Sequence, residues 1–369
     1  MTAPQRAKLK PGDTIGILGG GQLGRMLALA AARLGLRCHV FSPDPESPAF
    51  DVVLNATCAE YADVEALEIF AGNVDVVTYE FENVPSAAAM VLAARRPVLP
   101  SRSALETTQD RLAEKDFVTS LGIRTAGYAA VSSLTELREA VLRIGLPAVL
   151  KTRRFGYDGK GQVKIQDGDN LERIWTELGT RSAILEAFVP FEREISVVAA
   201  RAVDGQIECF DVTENEHRDH ILKTSRAPAA IPDTLAEEAR AIAGRIAAAL
   251  DYVGVLAVEM FVVPGEHGLH VLVNELAPRV HNSGHWTLDG ASISQFEQHI
   301  RAIAGWPLGK PVRHGFVTMT NLIGDEINSY EQWLTVPGAT VHLYGKGTPR
   351  PGRKMGHVTQ VAPLPSKNS

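Results

Sequence analysis

The alternation of apolar and polar positions divides this chain before any motif is read. Thr14-Ile-Gly-Ile-Leu18 is a short buried strand, and Leu23, Met26, Leu27, Ala30 and Leu34 then recur at helical spacing until Gly35 stops them. Arg37 to Phe41 and Val74 to Thr78 are further strands, and strand alternating with helix predicts a parallel doubly wound sheet. One helix is predicted over Ser103 to Ser120 and another over Ser133 to Ile144, the latter opened by Ser133 and Glu136 as a capping box. The apolar run at Leu146, a polar stretch from Lys151, and the alternating Val163 and Ile165 read as strand, loop, strand. Asn170 to Leu178 is helical, Ala183 to Pro190 is a strand, Phe191 to Val198 begins the next, and Thr234 to Leu250 is an amphipathic helix. Val255 to Val263 and Leu269 to Leu276 are apolar strands joined by Pro-Gly-Glu-His-Gly, a hairpin signal. Beyond Val312 the chain is rich in Gly and Pro, with short strand signals at Gly315 to Asn321, Ala339 to Tyr344 and His357 to Val361.

Composition narrows the class. With 369 residues, 45% of them hydrophobic, the chain has material for two or three buried cores. A net charge of -6 supplies no global basic surface of the kind that grips nucleic acid. Cys38, Cys58 and Cys209 are few and far apart, which fits neither a disulfide framework nor zinc spacing and predicts a reducing cytoplasm. The longest apolar stretch, Ala241 to Val263, is broken by Arg245, Asp251 and Glu259, against a membrane span. Residues 1–12 carry Arg6, Lys8 and Lys10 without a following apolar segment and read as a loose terminus, not a secretory signal.

The polar loop carries the chemistry. Gly156, Gly159 and Gly161 let the backbone approach a ligand, and Lys151, Arg153, Arg154 and Lys160 ring it with positive charge, which suits a polyphosphate. No Gly-Lys-Ser/Thr opens a helix here, so this is not a Walker loop. A solvated surface hairpin accounts for the same residues. Gly19, Gly21 and Gly24 match a dinucleotide fingerprint, and Asp44 follows Gly24 by 20 residues, but it lies between Pro43 and Pro45. A phosphate-bearing small molecule uses the same free N–H groups and helix N-terminus. Tyr79-Glu80-Phe81-Glu82-Asn83 falls at the carboxyl edge of its strand, where open sheets bind ligands, or opens a helix rich in acids. If Val263 pairs with Leu269, Glu259 lies opposite Val273 with Glu275 one diagonal step away on the same face. Two carboxylates on an apolar face need a cation, and magnesium is the economical one, unless the register slips and both face water. Arg279 with His281 reads as an anion-binding pair. His281 and His285 would bind a transition metal only on a helix that Pro278 and Gly284 interrupt. The basic run from Lys346 to Lys354 is a solvated turn or an anion clamp.

Four segments together carry a resemblance: Gly-Gly-Gly-Gln-Leu-Gly-Arg-Met at 19–26, Tyr-Glu-Phe-Glu-Asn-Val-Pro at 79–85, the loop at 151–162, and Asn-Glu-Leu-Ala-Pro-Arg-Val-His-Asn-Ser-Gly-His-Trp-Thr at 274–287. Over residues 13–362 the chain resembles the 5-(carboxyamino)imidazole ribonucleotide synthase family of the ATP-grasp superfamily. The resemblance implies an α/β protein of three parts: a Rossmann-like pre-ATP-grasp domain at 1–120, an ATP-grasp domain at 121–311 with its lid at about 121–190, and a small β-rich domain at 312–369. It also implies a cytoplasmic homodimer. ATP would be held by Arg111, Lys151, the loop Gly156, Tyr157, Asp158, Gly159, Lys160, Gly161 and Gln162, the segment Glu186, Ala187, Phe188 and Val189, then Glu194, His217, Asn274 and Glu275. Glu259 and Glu275 would hold Mg2+. Gly20, Gln22, Leu23, Glu80 and Glu82 would receive aminoimidazole ribonucleotide, while Arg279, His281, Asn282, Lys346, Arg353 and Lys354 close around its phosphate and the bicarbonate-derived group. Asp158 would be the loop acid of catalysis, alongside Arg279, His281, Lys346 and Arg353. One departure is a spacing one residue longer between Lys346 and the Arg-Pro-Gly-Arg-Lys run. The implied reaction is ATP-dependent carboxylation of the ribonucleotide by bicarbonate through carboxyphosphate. Its rivals are an ATP-grasp ligase using formate or an amino acid, and a nucleotide-binding protein of dehydrogenase type.

Overall fold

The computed structural model describes residues 8–156, 159–266 and 268–363. The first sheet is parallel, built from β1 (Thr14–Leu18), β2 (Arg37–Ser42), β3 (Asn55–Cys58) and β4 (Val76–Tyr79) in the order β3-β2-β1-β4. Helices α1 (Gln22–Arg33), α2 (Val64–Gly72) and α3 (Ser86–Ala93) cover it. The apolar β1 and β2 lie in the core, whereas β3, Asn-Ala-Thr-Cys, is a polar edge strand with no apolar run to announce it. Residues Lys8 to Gly12 do not form a loose end: Leu9 is buried, its N–H donates to Ala304 O (3.0 Å), and Trp306 Nε1 donates to Leu9 O (2.8 Å).

The helix expected over Ser103 to Ser120 is two, α4 (Arg102–Thr108) and α5 (Arg111–Ser120). Asp110 breaks it, because its carboxylate caps α5 by accepting the Leu112 and Ala113 N–H groups at 3.0 and 3.3 Å. The next unit is an antiparallel sheet of β5 (Tyr128–Val131), β6 (Ala148–Thr152), β7 (Gln162–Ile165) and β8 (Ala183–Ala187), ordered β5-β8-β6-β7. Helices α6 (Leu134–Ile144) and α7 (Leu171–Leu178) pack on it through Leu137, Ala140 and Ile174 against Leu150, Ile165 and Leu185. Ser133 caps α6 as expected, but the Glu136 carboxylate returns to the N–H and hydroxyl of Ser132 (both 2.7 Å), so the capping box is displaced by one residue.

The main sheet holds nine strands among the described residues: β9 (Arg193–Arg201), β10 (Ile207–Cys209), β11 (Thr213–Arg218), β12 (Ile221–Ala227), β13 (Gly254–Gly265), β14 (Gly268–Ala277), β15 (Phe316–Ile323), β16 (Ala339–Leu343) and β17 (Lys354–Ala362). Its order is β14-β13-β9-β11-β12-β15-β17-β16, with β10 on β9, so the last strands extend the same sheet through the β12–β15 pair. Alternate residues of β9 and β13 enter different cores. Val197, Ala199, Leu256 and Val258 pack with α8 (Asp233–Ala249), while Val198, Ala200, Val255 and Ala257 join α1 and Phe296 and Ile300 of the helix Gln295–Ile303. Burial on both faces is why these strands read as unbroken apolar runs.

Candidate active site

The parallel sheet, the β6–β7 hairpin and the main sheet meet around a cavity of about 830 Å³, a size that holds a nucleotide. From β6, β7 and the turn between them come Lys151, Gly156, Gly159 and Gln162, and from the end of β8 and the segment after it come Glu186, Ala187, Phe188 and Val189. The main sheet adds Glu194, His217, Glu259, Asn274, Glu275 and Lys354, and α5 adds Arg111. From the far wall Gln22, Leu23, Glu80 and Glu82 face Arg279, His281 and Asn282. These residues are thus brought together from positions up to hundreds of residues apart. Gly20, Lys160, Gly161, Lys346 and Arg353 do not line this cavity, and Tyr157 and Asp158 lie outside the described residues. Gly20 packs instead on Ser42 and Ser47, and Lys346 lies over the Tyr344 ring at 5.6 Å.

The two carboxylates of the β13–β14 hairpin sit differently from expectation. Val263 pairs with His270, not Leu269, and a bulge follows in which Met260 pairs with Val273 but Glu259 pairs with Glu275. Asn274 is the extra residue, and the bulge sets the two acids directly opposite each other. Glu275 Oε2 accepts from Arg111 Nη1 at 2.9 Å, and Glu259 Oε1 lies 3.1 Å from His281 Nε2. Burial, then repulsion from Glu275, pushes the Glu259 carboxyl up. Burial also opposes charge on Glu275, but Arg111 beside it prevails and holds it down. Such a facing pair fits a cation. Among the described residues no group of three or more His, Cys, Asp or Glu could hold a metal, so the two facing carboxylates are the acidic donors this wall offers. That donor set suits magnesium, which takes one or two carboxylates and completes its shell with phosphate and water oxygens.

His281 is neutral, its pKa lowered to about 3 by burial and by Arg279 and Lys354. Its Nδ1 lies 3.3 Å from the donating N–H of Ser283, so the hydrogen-bond network assigns the proton to Nε2, which donates to Glu259. Arg279 Nε donates to Glu82 Oε2 at 2.5 Å. Burial works against charge on Glu82, yet Arg279 holds its pKa down at about 2. At the end of β6, Lys151 Nζ lies 3.0 Å from Glu186 Oε2. Glu186 is buried, but Lys115 and Lys151 keep its pKa at about 2. Glu194 and His217 form a close ion pair, and despite its burial His217 is raised by Glu194. Phe191 and Phe261 stack at 4.6 Å and 8° on the cavity wall, an apolar surface near Phe188 and Leu276 suited to a flat base.

Two expectations change on geometry. Arg153 does not ring the loop as a free cation: its Nε and Nη2 grip Asp110 at 2.9 and 2.6 Å, and Arg154 Nη2 donates to Gln109 Oε1 at 2.6 Å. In the Gly19–Gly24 turn the N–H groups of Gly21 and Gly24 are not free for a ligand, because they donate to the Glu80 carboxylate, the latter at 2.7 Å. A Cβ on Gly19 or Gly21 would come within 2.4 or 2.6 Å of Glu80, so these glycines make room for an internal acid. His285 is wholly buried, with Nδ1 3.0 Å from Gln295 Nε2, and is no partner for His281 on a metal. Sequence reading also missed Glu114, which lines the cavity, and Lys115 behind it. The signal available was helical spacing: Arg111 and Lys115 are four apart, and so are Asp110 and Glu114.

Comparison with known proteins agrees with this arrangement. The ribonucleotide synthetase preATP-grasp domain family matches residues 13–109, the ATP-grasp domain family residues 116–296, and the phosphoribosylaminoimidazole carboxylase C-terminal domain family residues 317–366. N5-carboxyaminoimidazole ribonucleotide synthase of Brucella melitensis is 50% identical over 360 residues, covering 97% of this chain and 99% of that protein. The crystal structure of an ADP complex of N5-carboxyaminoimidazole ribonucleotide synthetase superposes with a TM-score of 0.92 at 41% identity, covering 96% of this chain and 94% of that one. The Aspergillus clavatus N5-carboxyaminoimidazole synthase in complex with ADP and 5-aminoimidazole ribonucleotide gives 0.88 at 32% identity, covering 96% and 95%. An α/β ATP-grasp fold, a cavity with paired acids and lid lysine, and identity over nearly the whole chain lead to one conclusion: the chain belongs to the N5-carboxyaminoimidazole ribonucleotide synthase family of ATP-grasp ligases.

Proposed function

We propose that the chain carboxylates 5-aminoimidazole ribonucleotide with bicarbonate and ATP, yielding 5-(carboxyamino)imidazole ribonucleotide, ADP and phosphate. The observation that carries this reading is one cavity in which Lys151 and the Glu259–Glu275 pair face Arg279, His281 and Glu82. The adenine would lie against the Phe188 segment, with its phosphates beneath the Gly156–Gln162 loop. Glu259 and Glu275 would hold magnesium, which when bound neutralises phosphate oxygens. Lys151 would turn from Glu186 to the phosphates, and Arg111 would keep Glu275 charged and in place.

Bicarbonate oxygen attacks the γ-phosphorus as the bond to ADP breaks, giving carboxyphosphate. The exocyclic amine then forms its C–N bond while the carboxyl C–O bond to phosphate breaks, and the proton the amine loses goes to the departing phosphate. Catalysis is positional and electrostatic: the cavity offers cations and N–H donors where charge develops and needs no protein nucleophile. His281, neutral and held by Ser283 and Glu259, supplies a fixed dipole beside Arg279. Carboxyphosphate hydrolyses in water, so the lid hairpin closing over it protects it. The reading brings with it the division 1–120, 121–311 and 312–369, a homodimer, and a cytoplasmic setting supported by the three unpaired cysteines. A phosphate-release assay tests it. Phosphate should appear only with ATP, magnesium, bicarbonate and aminoimidazole ribonucleotide all present, and full release when bicarbonate is replaced by formate or an amino acid would contradict it.

A further inference from the structure

We propose that Lys115 is a positioning residue for the nucleotide: it is the standing counter-ion of Glu186, which lets Lys151 leave that carboxylate for the phosphates, and it fixes the backbone that presents Glu275. The proposal rests on the nucleotide reading above. Lys115 is 2% exposed and does not line the cavity. Its Nζ donates to Asn274 O at 2.7 Å, lies 3.4 Å from Val273 O, and lies 3.5 Å from Glu186 Oε2. One turn of α5 thus joins the bulge of the main sheet to a carboxylate of the lid. Its neighbour Glu114 accepts the Leu276 N–H at 3.0 Å, so two successive side chains of α5 bracket Asn274 and Glu275.

The two lysines share one oxygen of Glu186, and the other, Oε1, is buried with no hydrogen-bond partner. A buried carboxylate already short of donors cannot give up both lysines, since a buried charge left without a partner is strongly destabilising. Lys151 lines the cavity and its side chain is 13% exposed, so it is the lysine able to move. Lys115 stays behind. Packing alone does not account for it, because an apolar side chain of similar volume fills such a site without the desolvation of an ammonium group.

The test is a double-mutant cycle on the full-length enzyme, reading the KM values for magnesium-ATP and for aminoimidazole ribonucleotide in folded protein. Lys115→Met should raise the ATP KM about tenfold and leave the ribonucleotide KM within about twofold, because Lys151 stays bound to Glu186. In the Glu186→Gln background, where Lys151 has no carboxylate to leave, the same change should add less than about threefold, the coupling expected of groups in one network. If Lys115→Met does not fold, Lys115→Gln takes its place in the cycle, keeping a donor for Asn274 O without the charge. An unchanged ATP KM, or the same increment in both backgrounds, would overturn the proposal. A wild-type enzyme with no ATP turnover in the presence of ribonucleotide and bicarbonate would overturn the functional reading instead.

Discussion

On the proposed reading, Lys151 and Glu275 are the side chains on which the chemistry would most depend. Lys151 is paired with Glu186 at 3.0 Å and reaches the cavity beneath the lid loop. Lys151→Ala should lower kcat/KM by about 100-fold or more, the cost of removing a preorganised charge from a transferring phosphoryl group, with the fold intact by circular dichroism. Unchanged kinetics in steady-state assays would remove it from the site. Glu275→Gln should raise the magnesium concentration needed for half-maximal rate, because one of the two facing carboxylates is lost. Saturation at the wild-type magnesium level would make that acid structural. The held-down acids set a pH response. Glu82 and Glu186 fall from the usual 4.5 to about 2, so their contribution to stability is complete above about pH 4.5 and is lost as pH falls toward 2. Melting temperature measured across that window should decline, and Glu186→Gln should flatten the decline. At this scale Lys151, Glu259 and Glu275 were legible as charges at the end of or within apolar strands, and Glu186 only through the family resemblance. Glu114 and Lys115 were not, since charges on an amphipathic helix ordinarily face water.

Among the elements, the β13–β14 hairpin shows why composition finds a strand and misses its register. The strands and their turn were plain from apolar runs and Pro-Gly-Glu-His-Gly, but the bulge at Asn274 leaves no mark in residue type. Two departures offset each other here. The pairing is one residue out from expectation and the bulge adds one more, so both acids still share a face. Deleting Asn274 should leave Glu275 paired with Glu259 on a regular ladder but remove the local bend and the carbonyl that Lys115 grips, and so raise the magnesium concentration needed for half-maximal rate while strand content by circular dichroism is kept. A deletion variant with wild-type magnesium dependence would mean the bulge does not set how Glu275 is presented. The glycine turn was legible as a place of close approach, but not as a cradle for Glu80, which follows β4, the strand paired alongside β1. Long-range partners of this kind, like the Arg153–Asp110 pair that splits the predicted helix, are set by tertiary contact alone.

For the whole molecule, the α/β class was legible from strand and helix periodicity, whereas the continuity of β15 to β17 with the main sheet was not, because the β12–β15 pairing joins residues about a hundred positions apart. That sheet carries Glu259, Glu275, His217 and Lys354 on one scaffold, so nucleotide and ribonucleotide would be presented to each other by a single rigid element. The occupied glycine turn argues against a dinucleotide, and titration with NAD or NADP should give no saturable binding where aminoimidazole ribonucleotide binds; micromolar nicotinamide binding would reopen the dehydrogenase reading. The central claim is that bicarbonate, not water or the ribonucleotide, receives the γ-phosphoryl group. Turnover with oxygen-18 bicarbonate, run faster than label exchanges with water, followed by mass spectrometry of the released phosphate, tests this most directly. Labelled phosphate formed in step with carboxylated product is the predicted result, and unlabelled phosphate beside normal product would contradict the account.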